Sequence, residues 1–256
     1  MSKNFELLQQ AGISVESEIA DFPKRKADFP SIEREAGREQ PQAKAGPDRL
    51  AGEESLKLVQ RIFLAQGARR PRTVVFVGID RGNGCSRICA DAARVLANNV
   101  SGSVCLVEAN LRWPSLPQFF GVTNHWGLTD ALLREDPICG FAQQLHPDNL
   151  WLLSCGSLDA DSPNLLNSAR LKPRLEELRT EFDYVLVDVP PINHYSDAIS
   201  LGQLADGVAI VLEAHSTRRQ SALKAVTTLQ AAQIPILGAV LNKRTFPIPE
   251  MLYRLL

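Results

Sequence analysis

From residue 72 onward the chain alternates between short unbroken apolar runs and longer stretches in which apolar residues recur every three or four positions. The runs RTVVFVGI (72–79), GSVCLVEA (102–109), NLWLLSCG (149–156), FDYVLVDVP (182–190), GVAIVLEA (207–214) and PILGAVLN (235–242) are rich in β-branched residues and closed by turn or polar residues. Runs of this kind, without polar alternation, predict strands covered on both faces. Helical spacing predicts helices over 86–98, 164–181, 196–204 and 217–232. Another is predicted upstream in EESLKLVQRIFLAQ (53–66), where Leu56, Val59, Ile62 and Phe63 share one face. Strands that alternate with helices require crossover connections, so the fold class is α/β: a doubly wound, mostly parallel sheet with helices on both faces. In such a sheet ligands bind beyond the carboxyl ends of the strands, which directs attention to the residues after Ile79, Val107, Val187 and Leu241.

Ahead of this region, residues 15–50 mix charges of both signs with four prolines and little apolar periodicity. Such a composition cannot offset the entropy lost on ordering. The expected organisation is therefore a flexible leader, 1–48, followed by one domain, 49–256. The 28 basic and 29 acidic residues leave a net charge of -1 without a basic block, which argues against nucleic acid as a partner. No apolar stretch reaches the roughly 18 residues that a bilayer span needs, and the N-terminus lacks the apolar centre of a signal peptide, so the expected compartment is the cytoplasm. Five cysteines in no C-x-x-C spacing indicate neither a disulfide framework nor a zinc site. The four histidines show no ligand spacing.

The chemistry concentrates in VGIDRGNGCSRICADAARVLA (77–97), where a strand is expected to turn into a helix. A phosphate loop, G-x-x-x-x-G-K-[ST], works because glycines let successive backbone N–H groups converge on phosphate oxygens at a helix N-terminus. Its Lys holds the outer phosphates and its Ser or Thr meets magnesium. Aligned on Gly84 and Ser86, this chain has Ile79 at the first glycine position, Gly82, Asn83 and Gly84 in the bend, Cys85 in place of Lys, and Ser86 for the metal hydroxyl. The cradle is retained and the cation is lost. A glycine-rich turn without a ligand fits the same residues. Arg81 and Arg87 flank the gap, each able to reach a phosphate or simply to be solvated. A thiol at a helix N-terminus has its thiolate favoured, which makes Cys85, one turn from Cys89, the first candidate for a reactive cysteine; without a C-x-x-C motif the cysteines are nevertheless read as small buried hydrophobes.

In their order along the chain, VVFVGIDRGNGCS, SVCLVEANLRWPSLPQFFGV, GLTDALL, NLWLLSCGS, SPNLLNSARL, FDYVLVDVPPI, SDAISLGQLADGVAIVLEA and ILGAVLNK resemble the cytoplasmic domain of the bacterial tyrosine kinases of capsule and exopolysaccharide assembly. That group belongs to the MinD/ParA branch of the P-loop ATPases. The resemblance runs from about residue 50 to about residue 245. It implies ATP or ADP with Mg2+ as cofactor, and homo-oligomers. It also implies a partner in the cytoplasmic part of a membrane protein of polysaccharide chain-length control or export, which would hold the chain at the inner face of the plasma membrane.

Carried over position by position, the resemblance assigns Asp188 to the Walker B aspartate, with Ser86 as its companion at the metal. The family's D-x-D pair, for magnesium and for proton abstraction from the acceptor tyrosine, falls on Glu108 and Asn110. Asn242 falls on a position that contacts the nucleotide base, although a strand-end cap explains it equally well. The family's oligomerisation pattern E-x-x-R-x-x-R becomes Glu54, Lys57 and Gln60, and its C-terminal tyrosine cluster is reduced to Tyr253. Phosphoryl transfer depends on positioned charge, and three of its elements are altered together. The expected function is thus regulatory or scaffolding within polysaccharide assembly, with impaired catalysis. The alternative is an active ATP-binding tyrosine autokinase or ATPase.

Overall fold

A computed structural model of the protein describes residues 47–64 and 70–244, all within one compact unit, Ala45–Leu256. The expected leader lies outside the described residues apart from Pro47 and Asp48, and so does Tyr253. In chain order the elements are α1 (Pro47–Ile62), β1 (Thr73–Gly78), α2 (Cys85–Asn99), β2 (Val104–Glu108), α3 (Leu116–Phe120), α4 (Leu128–Leu133), β3 (Gln143–Gln144) and β4 (Leu150–Leu153). They continue with α5 (Leu171–Glu181), β5 (Tyr184–Val189), α6 (Asp197–Gly202), β6 (Gly207–Glu213), α7 (Arg219–Ala231) and β7 (Ile236–Asn242), with 3-10 turns at Ile138–Phe141 and Ser162–Asn167.

The strands form one seven-stranded sheet in the order β3-β4-β2-β5-β1-β6-β7. Every pairing is parallel except that of β3 with β4. Alternate side chains of the central strands feed two separate cores. Val75, Val77, Val107, Val185 and Val187 pack with Leu132, Leu175, Leu178 and Leu229 of α4, α5 and α7. Val74, Phe76, Leu106 and Leu186 pack on the opposite face with Val59 of α1 and Ala93 and Leu96 of α2. Burial on both faces is the reason these strands are written as unbroken apolar runs.

The departures from the sequence expectations are local. The helix expected over 164–181 is divided into the 3-10 turn Ser162–Asn167 and α5. Pro173 has no N–H to donate to residue 169, so it can stand only in a first turn, where that donor is not needed. Helix α1 begins at Pro47, before the expected 53, and ends at Ile62. The short α3 and α4 were not foreseen, and neither was β3, a pair of exposed glutamines without periodicity.

Register sets up the site. Asp188 of β5 lies between Phe76 of β1 and Glu108 of β2, so both carboxylates reach the carboxyl edge of the sheet side by side.

Candidate phosphate-binding site

The loop between β1 and α2 is held from three directions. Gly82 and Gly84 adopt φ of 85° and 79°, a left-handed conformation that glycine takes without steric cost. Asn83 is buried; its Oδ1 accepts from the Asp80 N–H at 2.6 Å and its Nδ2 donates to Glu213 Oε2 at 3.3 Å. From the end of β7, Asn242 Nδ2 donates to the Asn83 carbonyl at 2.8 Å. Lys243 Nζ donates to the Gly82 carbonyl at 2.7 Å and to Glu213 Oε1 at 2.9 Å. A Cβ on Gly84 would collide with the Asn242 carboxamide, whereas one on Gly82 would meet nothing within 4 Å. The loop is therefore braced beneath and open above. No backbone N–H from Gly82 to Ser86 has an acceptor among the described residues, while Ile88 N–H resumes helical bonding to the Gly84 carbonyl at 3.1 Å. Free N–H groups at the N-terminus of a 15-residue helix are the elements from which an anion cradle is built.

A cleft of about 280 Å³ lies over this cradle, lined by the loop and by Asn110, Trp113, Ser115, Phe119 and Pro191. Of the residues assigned from sequence, Gly82, Asn83, Gly84, Cys85, Ser86 and Asn110 reach it. Glu108, Asp188 and Asn242 do not line it. The carboxamide of Asn242 is committed to the underside of the loop, with its Oδ1 accepting from the Lys243 N–H at 2.8 Å.

Glu108 is fully buried, and its Oε1 accepts from the N–H of Ser115 and, at 2.7 Å, from that of Leu116. It thus satisfies donors at the start of α3. Burial raises its pKa, opposed by the Leu116 and Ser115 N–H groups, and its Oε2 has no partner. Asn110, two residues on, accepts from the Trp113 N–H at 3.3 Å.

Asp188 is also fully buried. Desolvation raises its pKa to about 7; the Ser86 hydroxyl lowers it, the Glu108 charge adds to the rise, and the Cys85 thiol lowers it. Ser86 and Cys85 are thus close enough to act on the carboxylate, yet neither Asp188 oxygen is engaged in a hydrogen bond of good geometry. The reading of Cys85 as a small buried residue and not a reactive thiol agrees with its surroundings. Burial, then the Asp188 charge, push its thiol well above the ordinary value, and burial does the same to Cys89. The helix dipole is outweighed, so both stay thiols at neutral pH.

The oxygens of Ser86 and Asp188 are hard donors, and the orphaned Asp188 carboxylate lacks a partner that a cation would supply. This pair fits magnesium. Among the described residues no group of three or more His, Cys, Asp or Glu forms a metal cluster, so phosphate and water would complete the coordination.

Sequence reasoning assigned no role to Glu213 or Lys243, although Lys243 directly follows Asn242 in VLNK. Their contribution depends on β6 and β7 ending beside the loop, which no local pattern reveals. In α1, Lys57 pairs with Glu54 at 2.8 Å, on an exposed face.

No protein-family model matches the chain. Tyrosine-protein kinase YwqD of Bacillus subtilis (strain 168) is 30% identical over 196 residues, which are 77% of this chain and 82% of that protein. Tyrosine-protein kinase ptk of Acinetobacter johnsonii is 26% identical over 196 residues, 76% of this chain but only 26% of the much longer relative. Among solved structures, the chimerical protein CapA2B2 superposes with a TM-score of 0.71 at 22% identity, covering 76% of this chain and 85% of that one. The septum site-determining protein MinD of Pyrococcus horikoshii OT3, complexed with Mg-ADP, gives 0.58 at 21% identity, covering 70% and 75%. The mostly parallel sheet with its flanking helices is the P-loop ATPase fold. With YwqD matched along most of both chains, this chain belongs to the bacterial tyrosine-protein kinase family.

Proposed function

We propose that the chain is a nucleotide-binding but catalytically impaired member of its family, serving polysaccharide assembly as a regulator or scaffold. The observation that carries this reading is a division within the site. The N–H groups of Gly82 to Ser86 are free to receive phosphate, whereas the positions that would handle charge during transfer are not equipped for it. Cys85 is a neutral thiol beside Asp188, Glu108 is occupied with the Ser115 and Leu116 N–H groups, and Asn110 carries an amide where a base is needed.

In this reading the cradle binds the phosphates of ATP or ADP, and Ser86 with Asp188 holds Mg2+, which neutralises phosphate charge when bound. The partner is the cytoplasmic part of a membrane chain-length or export protein, which keeps this chain at the inner face of the membrane. The longer family members support that pairing, since ptk carries the matching region within a much longer chain. No helix among the described residues is long and apolar enough to cross a membrane.

Incubation with γ-labelled ATP and Mg2+ tests the catalytic half of the reading. Labelling of tyrosine should not exceed that of an Asp188→Ala variant. Label on Tyr253 well above that control would establish the active autokinase instead.

A further inference from the structure

We propose that Arg81 supplies the cation that Cys85 cannot, by swinging from the indole of Trp113 onto the outer phosphate of a nucleoside di- or triphosphate; this rests on the nucleotide reading of the cleft. Arg81 lines the cleft and is exposed, immediately ahead of Gly82. Its guanidinium carbon lies 4.3 Å from the centroid of the Trp113 ring, and Trp113 lines the same cleft.

The neighbouring cations are engaged elsewhere. Arg87 points along α2 toward Asp91, at 3.7 Å. Lys243 is spent on Gly82 and Glu213. Arg112 stacks on Tyr195 at 3.9 Å and lies 3.7 Å from Asp197. Arg81 has no carboxylate within ion-pair distance among the described residues. Even its chain neighbour Asp80 is turned to Asn193, at 3.3 Å, and to His194, at 3.5 Å.

A guanidinium held by an aromatic face alone gives up little when a phosphate arrives, because a charge-assisted, bidentate bond to phosphate is the stronger contact. The open space above Gly82 leaves a path for that movement. A lysine in the Cys85 position would approach the phosphates from the helix, whereas Arg81 approaches from the strand side of the loop. Its contribution should grow with each phosphate beyond the first.

Affinities of the full chain for AMP, ADP and ATP, measured by calorimetry for wild type, Arg81→Ala and Arg81→Lys, test the inference, with Trp113 emission followed in parallel. Wild type should bind in the order ATP, ADP, AMP. Arg81→Ala should lose about tenfold to a hundredfold for ATP and little for AMP, Arg81→Lys should keep part of the gradient, and nucleotide should change tryptophan emission in wild type but not in Trp113→Phe. A gradient preserved in Arg81→Ala would overturn the role of Arg81 and leave the nucleotide reading standing. Absence of binding by wild type to all three nucleotides would overturn both.

Discussion

The resemblance places catalytic groups of the family at Glu108 and Cys85, and the surroundings of both side chains argue against that use in this chain. The longer side chain of Glu108 reaches the N–H groups that open α3, so restoring the family's aspartate should not restore a family site. Glu108→Asp draws the carboxylate back and leaves buried donors unsatisfied. It should destabilise the protein by about 1 to 3 kcal/mol in chemical denaturation, and unchanged stability would show that the contact to α3 is dispensable. Cys85 is silent for a related reason, since its thiol lies against a buried carboxylate. Iodoacetamide at neutral pH should modify the exposed Cys139 well before Cys85 or Cys89, as read by peptide mass spectrometry. The sequence made the loss of lysine and of one aspartate plain. It could not disclose that Glu108 accepts from the N–H groups opening α3 and does not line the cleft, because this follows from where α3 begins in space.

The β strands of the core were legible because each is an unbroken apolar run, and a buried parallel strand has no other way to be written. Short elements were not: α3 and α4 span five and six residues, and β3 pairs two polar ones. The braces between elements were equally hidden. Asn242, at the end of β7, holds the phosphate loop by one hydrogen bond to Asn83, so Asn242→Ala should cost about 1 kcal/mol of stability and weaken nucleotide binding without altering the cleft lining. A second brace ties β1 to the turn before β6, where Asp206 accepts from the Arg72 and Thr73 N–H groups, each at 2.8 Å, and from Arg179 at 2.9 Å. Burial pushes this carboxyl up, but the Thr73 and Arg72 N–H groups with Arg179 bring it below its ordinary value. A lowered folded-state pKa means stability that is present above the unfolded carboxylate range and is lost as pH falls through the folded value. Asp206→Asn should therefore be less stable than wild type by about 1 to 2 kcal/mol at pH 7, and the gap should narrow toward pH 3 in parallel denaturation curves.

At the scale of the whole molecule, the two cores and the sheet order bring the glycine loop of Gly82 to Ser86 beside the buried carboxylates of Glu108 and Asp188, the arrangement on which the proposed function rests. Phe76 and Leu106, beneath the site, are wholly buried, and Cys85 itself packs against the core on that face of the sheet. The most direct test is a calorimetric titration of the purified protein with MgATP, which records binding heat and turnover heat in one trace. A saturable binding isotherm whose power returns to baseline after every injection is the predicted result. Sustained exothermic power, abolished by Asp188→Ala, would contradict the loss of catalysis, and the absence of any heat at high micromolar ATP would contradict the cradle itself.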